Sequence, residues 1–392
     1  NLDPWRLSAE FTLLLGVLVL AANGRSSRLI RLIRLLIGAT YFTAMAYAIY
    51  ENLSIFFYQK DPVIYAQAQL ILEGLPFVAQ HLSLSPGITA GAAAAIVALL
   101  AALVQLLRLL TAGQQTESLG AGSRAILIGL LMLVAAAFLF NGRALAGPKS
   151  VVSCLTCKLG INGSSSLAAA RQVRAVNEMS FDRAYDSSEF ELLQRPDIYL
   201  IFIESYGGVL YGRSALETPY RALLQELESE LGGAGWAAAT ILSESPSWGG
   251  GSWMAYTSAL FGLRIDTHPT YLALLERFDG GEYPHLGAAL KGMGYHNTRV
   301  TSLSVELDDA KWQQYRSFFG TDSWLRYGDL NYGGAHYGWG PAPPDQFVLS
   351  AANEALQSEG ENPLFFFMIT QNSHYPWQEV PPLVEEWRTL ND

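Results

Sequence analysis

The most informative part of this chain is Pro196-Asp197-Ile198-Tyr199-Leu200-Ile201-Phe202-Ile203-Glu204-Ser205, an apolar run that ends abruptly on a carboxylate. A short apolar run after a proline is typical of a fully buried strand in a parallel sheet. In open α/β sheets, ligands bind at the carboxyl ends of the strands, where Glu204 lies. Its carboxylate is therefore a candidate ligand for a hard cation. A strand that simply ends on a solvated glutamate is the plainer alternative.

Downstream of residue 196, predicted strands alternate with predicted helices, which is typical of an α/β domain with a mainly parallel sheet and helices on both faces. The predicted strands cover Ile198–Ile203, Ala237–Leu242, His296–Val300 and Leu364–Ile369. The predicted helices cover Thr218–Leu231, Met254–Phe261, Tyr283–Met293 and Asp345–Gln357.

A second chemical segment is Ser245-Pro246-Ser247-Trp248-Gly249-Gly250-Gly251-Ser252-Trp253. Its glycines permit unusual backbone geometry and close approach to a ligand. A serine that enters a helix has its oxygen near free amides and the positive end of the helix dipole, which favours a bound phosphate. Ser252 is thus a candidate nucleophile. An ordinary helix N-cap in a flexible loop is the alternative.

A third segment repeats the pattern of the first, because the apolar run before Thr370 ends in the polar cluster Gln371-Asn372-Ser373-His374. His374 can donate to a phosphoryl oxygen or take part in proton transfer. A lone histidine is more often structural, but this one shares the strand-end position of Glu204.

The first 145 residues hold most of the hydrophobic excess of a chain that is 50% hydrophobic and 15% charged. An average globular domain is about 25% charged. Apolar stretches near the length needed to cross a bilayer predict an N-terminal α-helical transmembrane bundle over residues 1–145. The predicted spans are Leu7–Ala22, Leu35–Phe57, Ile88–Leu107 and Ala125–Phe140.

Basic residues orient these predicted spans. The loop after the first span carries Arg25, Arg28, Arg31 and Arg34, and the loop after the third carries Arg108 and Arg124. By the positive-inside rule both loops face the cytoplasm, so everything after the fourth span is predicted to be extracytoplasmic. The expected location is a multi-pass protein of the inner or plasma membrane. The net charge of −10 argues against a nucleic-acid partner.

Residues 146–195 are predicted to be an extracytoplasmic linker with one helix near Leu167–Val176. This segment holds the two cysteines of the chain, Cys154 and Cys157. Outside the cytoplasm, a pair at this spacing predicts a local disulfide. Two cysteines supply only half of a tetrahedral thiolate site, and Lys158 stands where a haem-attachment motif needs histidine.

Three motifs resemble the alkaline-phosphatase superfamily in its sulfatase-like branch, and more narrowly the membrane-anchored phosphoglycerol and phosphoethanolamine transferases such as lipoteichoic acid synthases. They are Phe202-Ile203-Glu204-Ser205, Gly250-Gly251-Ser252-Trp253, and Met368-Ile369-Thr370-Gln371-Asn372-Ser373-His374-Tyr375-Pro376. Weaker similarities are Leu290-Lys291-Gly292-Met293-Gly294-Tyr295, Phe318-Phe319-Gly320, and Tyr337-Gly338-Trp339-Gly340 with Asp345.

The resemblance implies a transferase that moves a phosphoglycerol- or phosphoethanolamine-type headgroup from a membrane lipid donor to an extracytoplasmic glycan or lipid acceptor. It assigns Ser252 as the nucleophile of a covalent phospho-serine intermediate. Glu204 and Ser252 are implied ligands of one divalent metal ion, of the Mn, Zn or Mg type. His374 and Trp339 are implied contacts of the headgroup, with loop packing the alternative for Trp339.

One departure from the family is serious, because the resemblance implies a late Asp-His pair that completes the metal site, and no such pair follows His374. Because this pair is missing and the first residue is not methionine, we expect the sequence to be incomplete and the α/β domain over 196–392 to be truncated. If it is not, the chain is a non-catalytic membrane subunit or assembly factor of a larger complex. A sulfatase or phosphodiesterase with water as acceptor is a further alternative, although Ser252-Trp253-Met254-Ala255-Tyr256 lacks the proline and arginine of the sulfatase motif.

Overall fold

The computed structural model describes residues 7–22, 27–58, 60–68, 70–72, 120–141, 152–179, 192–248, 250–278, 285–303, 307–338, 340–356, 362–374 and 377–391, with single positions between 87 and 105. The chain divides into two compact units. The first comprises 1–174 with 248–251 and 267–269, and the second comprises 175–247, 252–266 and 270–392.

The first unit is mainly helical. Its helices are α1 (Ala9–Ala22), α2 (Ser27–Tyr58), α3 (Ala121–Asn141) and α4 (Leu155–Glu178), the last of which extends into the second unit. α1 packs against both α2 and α3. Two short strands, β1 (Leu7–Ser8) and β2 (Val152–Ser153), pair in parallel. α4 begins well before the helix predicted near Leu167–Val176.

Polar contacts tie the last turns of α2 to α4 and to the residues after α2. The Lys158 ammonium lies 2.7 Å from the Glu51 carboxylate, and both side chains are largely buried. Asn162 donates to the Pro62 carbonyl oxygen at 2.8 Å. The Ser54 hydroxyl donates to the Lys60 carbonyl oxygen at 3.0 Å. The stretch predicted as the second span therefore carries a buried charge and a polar network.

The transmembrane prediction is wrong for the residues that the structure describes, since no helix among them is both long and apolar enough to cross a membrane. α1, for example, has 14 residues, which corresponds to about 21 Å against a hydrocarbon core of about 30 Å. The predicted multi-pass membrane location depended on these spans and is wrong for the same reason. Most of the predicted third span, Ile88–Leu107, lies outside the described residues.

The second unit is built on a four-stranded sheet. The strands β3 (Ile198–Phe202), β4 (His296–Thr301), β5 (Ser323–Arg326) and β6 (Leu364–Ile369) lie in the order β3-β6-β4-β5. All of the pairings are parallel, and Phe202 is the register partner of Ile369. This confirms the predicted parallel α/β architecture.

Helices connect the strands of this sheet. They are α5 (Val209–Gly212), α6 (Ser214–Gly233), α7 (Ser252–Phe261), α8 (His268–Arg277, whose first residues belong to the first unit), α9 (Leu286–Gly292), α10 (Asp309–Phe318) and α11 (Asp345–Leu356). Short 3-10 helices cover Tyr327–Leu330 and Trp387–Asn391.

β6 separates two hydrophobic cores. Phe365 and Phe367 belong to one core, whereas Phe366 and Met368 belong to the other. Successive strand residues point to opposite faces, so the two cores cover the two faces of the sheet, as predicted. α7 contributes to the first core, and α11 contributes to the second.

Two sequence predictions about strands were wrong. β3 is an edge strand among the described residues, with Tyr199 49% exposed and Ile201 38% exposed, so only one face is buried. An apolar run does not distinguish an edge strand from a central one, and the fully buried strand is β6 instead. Residues Ala237–Leu242 form no strand, and Ile241 is 90% exposed.

Candidate active site

Glu204 and Thr370 meet at the carboxyl edge of the sheet, because β3 and β6 are parallel neighbours. The Thr370 amide donates to the Phe202 carbonyl oxygen at 2.9 Å, which extends the ladder by one bond. The Glu204 amide then donates to the Thr370 hydroxyl oxygen at 3.0 Å. The structure therefore joins the first and third chemical segments of the sequence.

The residue after Glu204 adopts an unusual backbone conformation. Ser205 has a φ of +64°, which non-glycine residues seldom adopt. Such conformations persist where surrounding structure enforces them, and they concentrate at functional sites. The turn directs the chain away from the sheet immediately after the half-buried Glu204 side chain.

Ser252 is the first residue of α7, as the sequence predicted for a serine entering a helix. Gly250 and Gly251 precede it with φ values of +152° and +77°. An L side chain rarely adopts the second conformation, so glycine is needed at the turn into the helix. Ser252 is partly buried and belongs to the first turn of α7, where the backbone amides have no acceptor within the helix itself.

α7 is fixed to the core by its buried face. Met254, Thr257, Leu260 and Phe261 are buried along the helix. The Ser258 hydroxyl donates to the Met254 carbonyl oxygen at 2.7 Å and accepts from the Ile265 amide at 2.9 Å, which secures the loop after the helix.

Tyr256 links α7 to the strands that carry Glu204 and His374. Its ring centroid lies 6.3 Å from that of Phe202 and 5.6 Å from that of Phe367. Burial is the largest cause that raises the pKa of Tyr256, and the charge of Glu204 raises it further. Glu204 and Tyr256 of α7 are therefore close enough to interact electrostatically.

The loop that leads to His374 is held by Asp345, the first residue of α11. The Asp345 carboxylate accepts from the Gln371 amide at 2.8 Å and from the Asn372 amide at 3.0 Å. The Asn372 side-chain oxygen accepts in return from the Asp345 amide at 2.5 Å. Burial raises the pKa of Asp345, and the two amides oppose that rise. The His374 amide closes the turn by donating to the Gln371 carbonyl oxygen at 3.1 Å.

A second loop lies directly against this turn. Gly338 has a φ of +68°, and a Cβ atom at this position would collide with the Gln371 carbonyl oxygen. Tyr337 and Ala342 exchange two backbone hydrogen bonds of 2.8 and 3.0 Å, which close the loop. The loop that carries the predicted headgroup contact therefore touches the His374 turn, although Trp339 itself lies outside the described residues.

Two residues of this edge supply the donor types that a hard cation prefers, a carboxylate at Glu204 and a hydroxyl at Ser252. In the parts of the chain that the structure describes, no three His, Cys, Asp or Glu side chains group closely enough to hold a metal. Glu204 and Ser252 thus carry oxygen donors of the type that a divalent cation prefers, without a cluster of three such acidic, histidine or cysteine side chains among the described residues.

Two other features do not include Glu204, Ser252 or His374. Cys154 and Cys157 are joined by a disulfide in the first unit. A cavity of about 790 Å³ opens between α10 and β5 and is lined in part by Trp312, Trp324 and Arg326. Glu204, Ser252 and His374 do not line this cavity.

No protein-family model and no curated protein matches the chain. Two solved structures do. The lipoteichoic acid synthase LtaP from Listeria monocytogenes is 17% identical, with 53% of this chain and 47% of that chain covered and a TM-score of 0.32. A protein in the alkaline phosphatase superfamily from Vibrio parahaemolyticus is 19% identical, with 55% and 51% covered and a TM-score of 0.30.

The chain therefore spans about half the length of each solved structure that it matches. Their descriptions name the same superfamily and the same kind of synthase that the three motifs resemble.

Proposed function

We propose that this chain catalyses phosphoryl transfer through Ser252, taking a phosphoryl-linked headgroup from a phosphodiester donor and passing it to a hydroxyl acceptor. The observation that carries the proposal is the hydrogen bond that joins Glu204 to Thr370, together with the packing of α7 on the same two strands. Glu204 is bonded to Thr370, His374 follows Thr370 in a clamped turn, and α7 packs on both strands through Tyr256.

The first half-reaction forms a bond between the Ser252 oxygen and phosphorus and breaks the bond from phosphorus to the donor alcohol. The proton of the serine hydroxyl leaves with that alcohol, and His374 is our candidate for carrying it. Amides at the start of α7 stabilise the phosphoryl charge. In the second half-reaction the acceptor hydroxyl attacks phosphorus, and the bond from phosphorus to the Ser252 oxygen breaks. The acceptor's proton returns to the serine, and the phosphoryl-linked headgroup leaves attached to the acceptor.

We infer that Glu204 and Ser252 would supply two of the oxygen ligands of a divalent cation. When bound, it would neutralise phosphoryl charge and favour the ionised serine. The donor that we propose is a glycerophospholipid, and the acceptor is a glycan or lipid hydroxyl. Water as acceptor would make the same chemistry a phosphodiesterase.

Hydrolysis of an aryl phosphodiester, followed as release of nitrophenol with a divalent cation present, tests this proposal. Ser252→Ala is expected to lower kcat by at least about 100-fold, since the attacking atom is removed. Ser247→Ala, in the same glycine-rich segment, is the matched control and is expected to keep full activity. Equal rates for the wild type and Ser252→Ala would refute a nucleophilic role for Ser252.

The acceptor is tested separately. Adding an alcohol such as glycerol to the reaction is expected to yield the transferred phosphodiester of a transferase. If only the hydrolysed product appears at high alcohol concentration, the site is a phosphodiesterase. If the wild-type chain shows no turnover and no covalent adduct with several donors and cations, the enzymatic proposal fails.

A further inference from the structure

Arg299 is a buried cation in the middle of β4, at 5% exposure. Four aromatic rings surround its guanidinium carbon, with centroids at 4.0 Å for Phe319, 4.3 Å for Phe367, 4.9 Å for Trp324 and 5.0 Å for Tyr256. Cation–π attraction offsets part of the cost of removing such a charge from water. The mechanism proposed above does not use this group.

The polar partners of Arg299 are few. The Tyr256 ring lies 5.0 Å from the guanidinium carbon, and the tyrosine and the arginine interact electrostatically. Its Nε atom has no hydrogen-bond partner among the residues that the structure describes. Burial lowers the pKa of Arg299, and the neighbouring Tyr256 and Tyr271 oppose this. A methionine of similar volume would fill the same space without a desolvated charge, so the packing alone does not require arginine.

Opposite charges act on Tyr256, namely those of Arg299 and Glu204. Tyr256 follows Ser252 by one helical turn on α7, and its ring packs on Phe202, two residues before Glu204. Tyr256 therefore contacts the buried cation and belongs to the helix that begins at Ser252.

We propose that Arg299 is a positioning residue: through Tyr256 it fixes α7 against the sheet and so holds Ser252 in place beside Glu204. The inference rests on the proposed function for its catalytic consequence. Its structural content, a fixed orientation at the start of α7, does not depend on that function.

Two pairs of variants separate charge from packing. Arg299→Met keeps the side-chain volume and removes the charge, whereas Arg299→Lys keeps the charge and loses the planar guanidinium group. Tyr256→Phe keeps the ring packing and removes the hydroxyl. Tyr271→Phe is the matched control, because Tyr271 is buried in the same core but its ring is not one of the four around the guanidinium.

Kinetics with the aryl phosphodiester give the first readout. Arg299→Met and Tyr256→Phe are expected to lower kcat at least about tenfold with KM changed less than about twofold. Arg299→Lys is expected to recover part of the loss, and Tyr271→Phe is expected to match the wild type. If kcat falls as much in Tyr271→Phe as in Tyr256→Phe, Arg299 contributes only general packing and the proposal is wrong.

A second readout needs no activity. The chain has two cysteines, and both lie in one disulfide, so Ser252→Cys introduces a single free thiol at the start of α7. The rate at which iodoacetamide alkylates this thiol is expected to change at least about threefold when Tyr256→Phe is added, because the reactivity of a thiolate depends on the groups around it. Adding Tyr271→Phe should leave the rate unchanged. If Tyr256→Phe leaves it unchanged as well, the positioning inference is wrong even when the enzyme is active. If the rate responds in a chain without turnover, only the proposed function has failed.

Discussion

The backbone amide of Glu204 donates a 3.0 Å hydrogen bond to the hydroxyl oxygen of Thr370, which joins the ends of two parallel strands. One bond thus sets a candidate catalytic carboxylate beside the turn that carries His374. Its geometry depends on the parallel order of β3 and β6, since only parallel neighbours bring both carboxyl ends to one edge.

Removing the Thr370 hydroxyl is expected to affect kcat more than the free energy of unfolding. Thr370→Val keeps the side-chain shape but leaves the Glu204 amide without its partner, which costs about 1 kcal/mol in the free energy of unfolding. We expect a larger relative loss of kcat. Thr370→Ser, which retains the hydroxyl, is the control in urea unfolding and in the diesterase assay. Full activity in Thr370→Val would show that the bond does not position Glu204.

Gly338 is expected to be intolerant of any side chain. Gly338→Ala would place a methyl against the Gln371 carbonyl oxygen at a positive φ, and the two effects together should destabilise the fold by more than about 2 kcal/mol. Gly328→Ala is the matched control, since nothing lies within 4 Å of the added atom. Thermal unfolding of both variants measures the difference. Similar midpoints would mean that the two loops do not touch.

We predict that the folded state loses stability in acid because of His285. It caps α9 by accepting from the Ala288 amide at 3.2 Å, and it stacks on Phe261 at the end of α7 with centroids 4.8 Å apart. Burial lowers the pKa of His285 from 6.5 to about 4. The neutral ring is therefore favoured in the folded state.

The direction of the pH effect follows. This contribution to stability is complete above pH 6.5 and is lost as the pH falls towards 4, because the unfolded chain binds a proton that the folded chain does not. At about 1.4 kcal/mol per pKa unit, the full loss is about 3 kcal/mol. His285→Asn retains a capping oxygen and should remove this part of the pH dependence in urea titrations. His336→Asn, at an exposed position, is the control. An unchanged profile in His285→Asn would contradict the assignment.

Local patterns predicted three of the four strands of the α/β unit and missed β5. β6 combines an apolar run with β-branched and aromatic residues, and it is the buried central strand. The turn into α7 was recognisable because glycines precede a serine. Ala237–Leu242 was misread because its composition favours a strand, whereas strand formation requires a partner that local sequence does not specify.

The supporting residues of the site could not be predicted in the same way. Asp345 bonds amides that lie 26 and 27 positions away, and no spacing rule connects them. Arg299 falls within a predicted strand, where an arginine would ordinarily be assigned to the solvent side. Only the packing of four rings around it shows that it is buried. Hydropathy likewise did not anticipate the pairing of Glu51 with Lys158, which buries a charge near the end of α2.

The central claim is that Ser252 carries the phosphoryl group. The most direct measurement is peptide mass spectrometry of the acid-quenched chain after incubation with a phosphodiester donor and a divalent cation. We predict a phosphoryl-linked adduct on the peptide containing Ser252, located at that residue by fragmentation, present also in Ser247→Ala and absent from Ser252→Ala. An adduct that persists in Ser252→Ala, or turnover by the wild type through no adduct at this residue, would contradict the account.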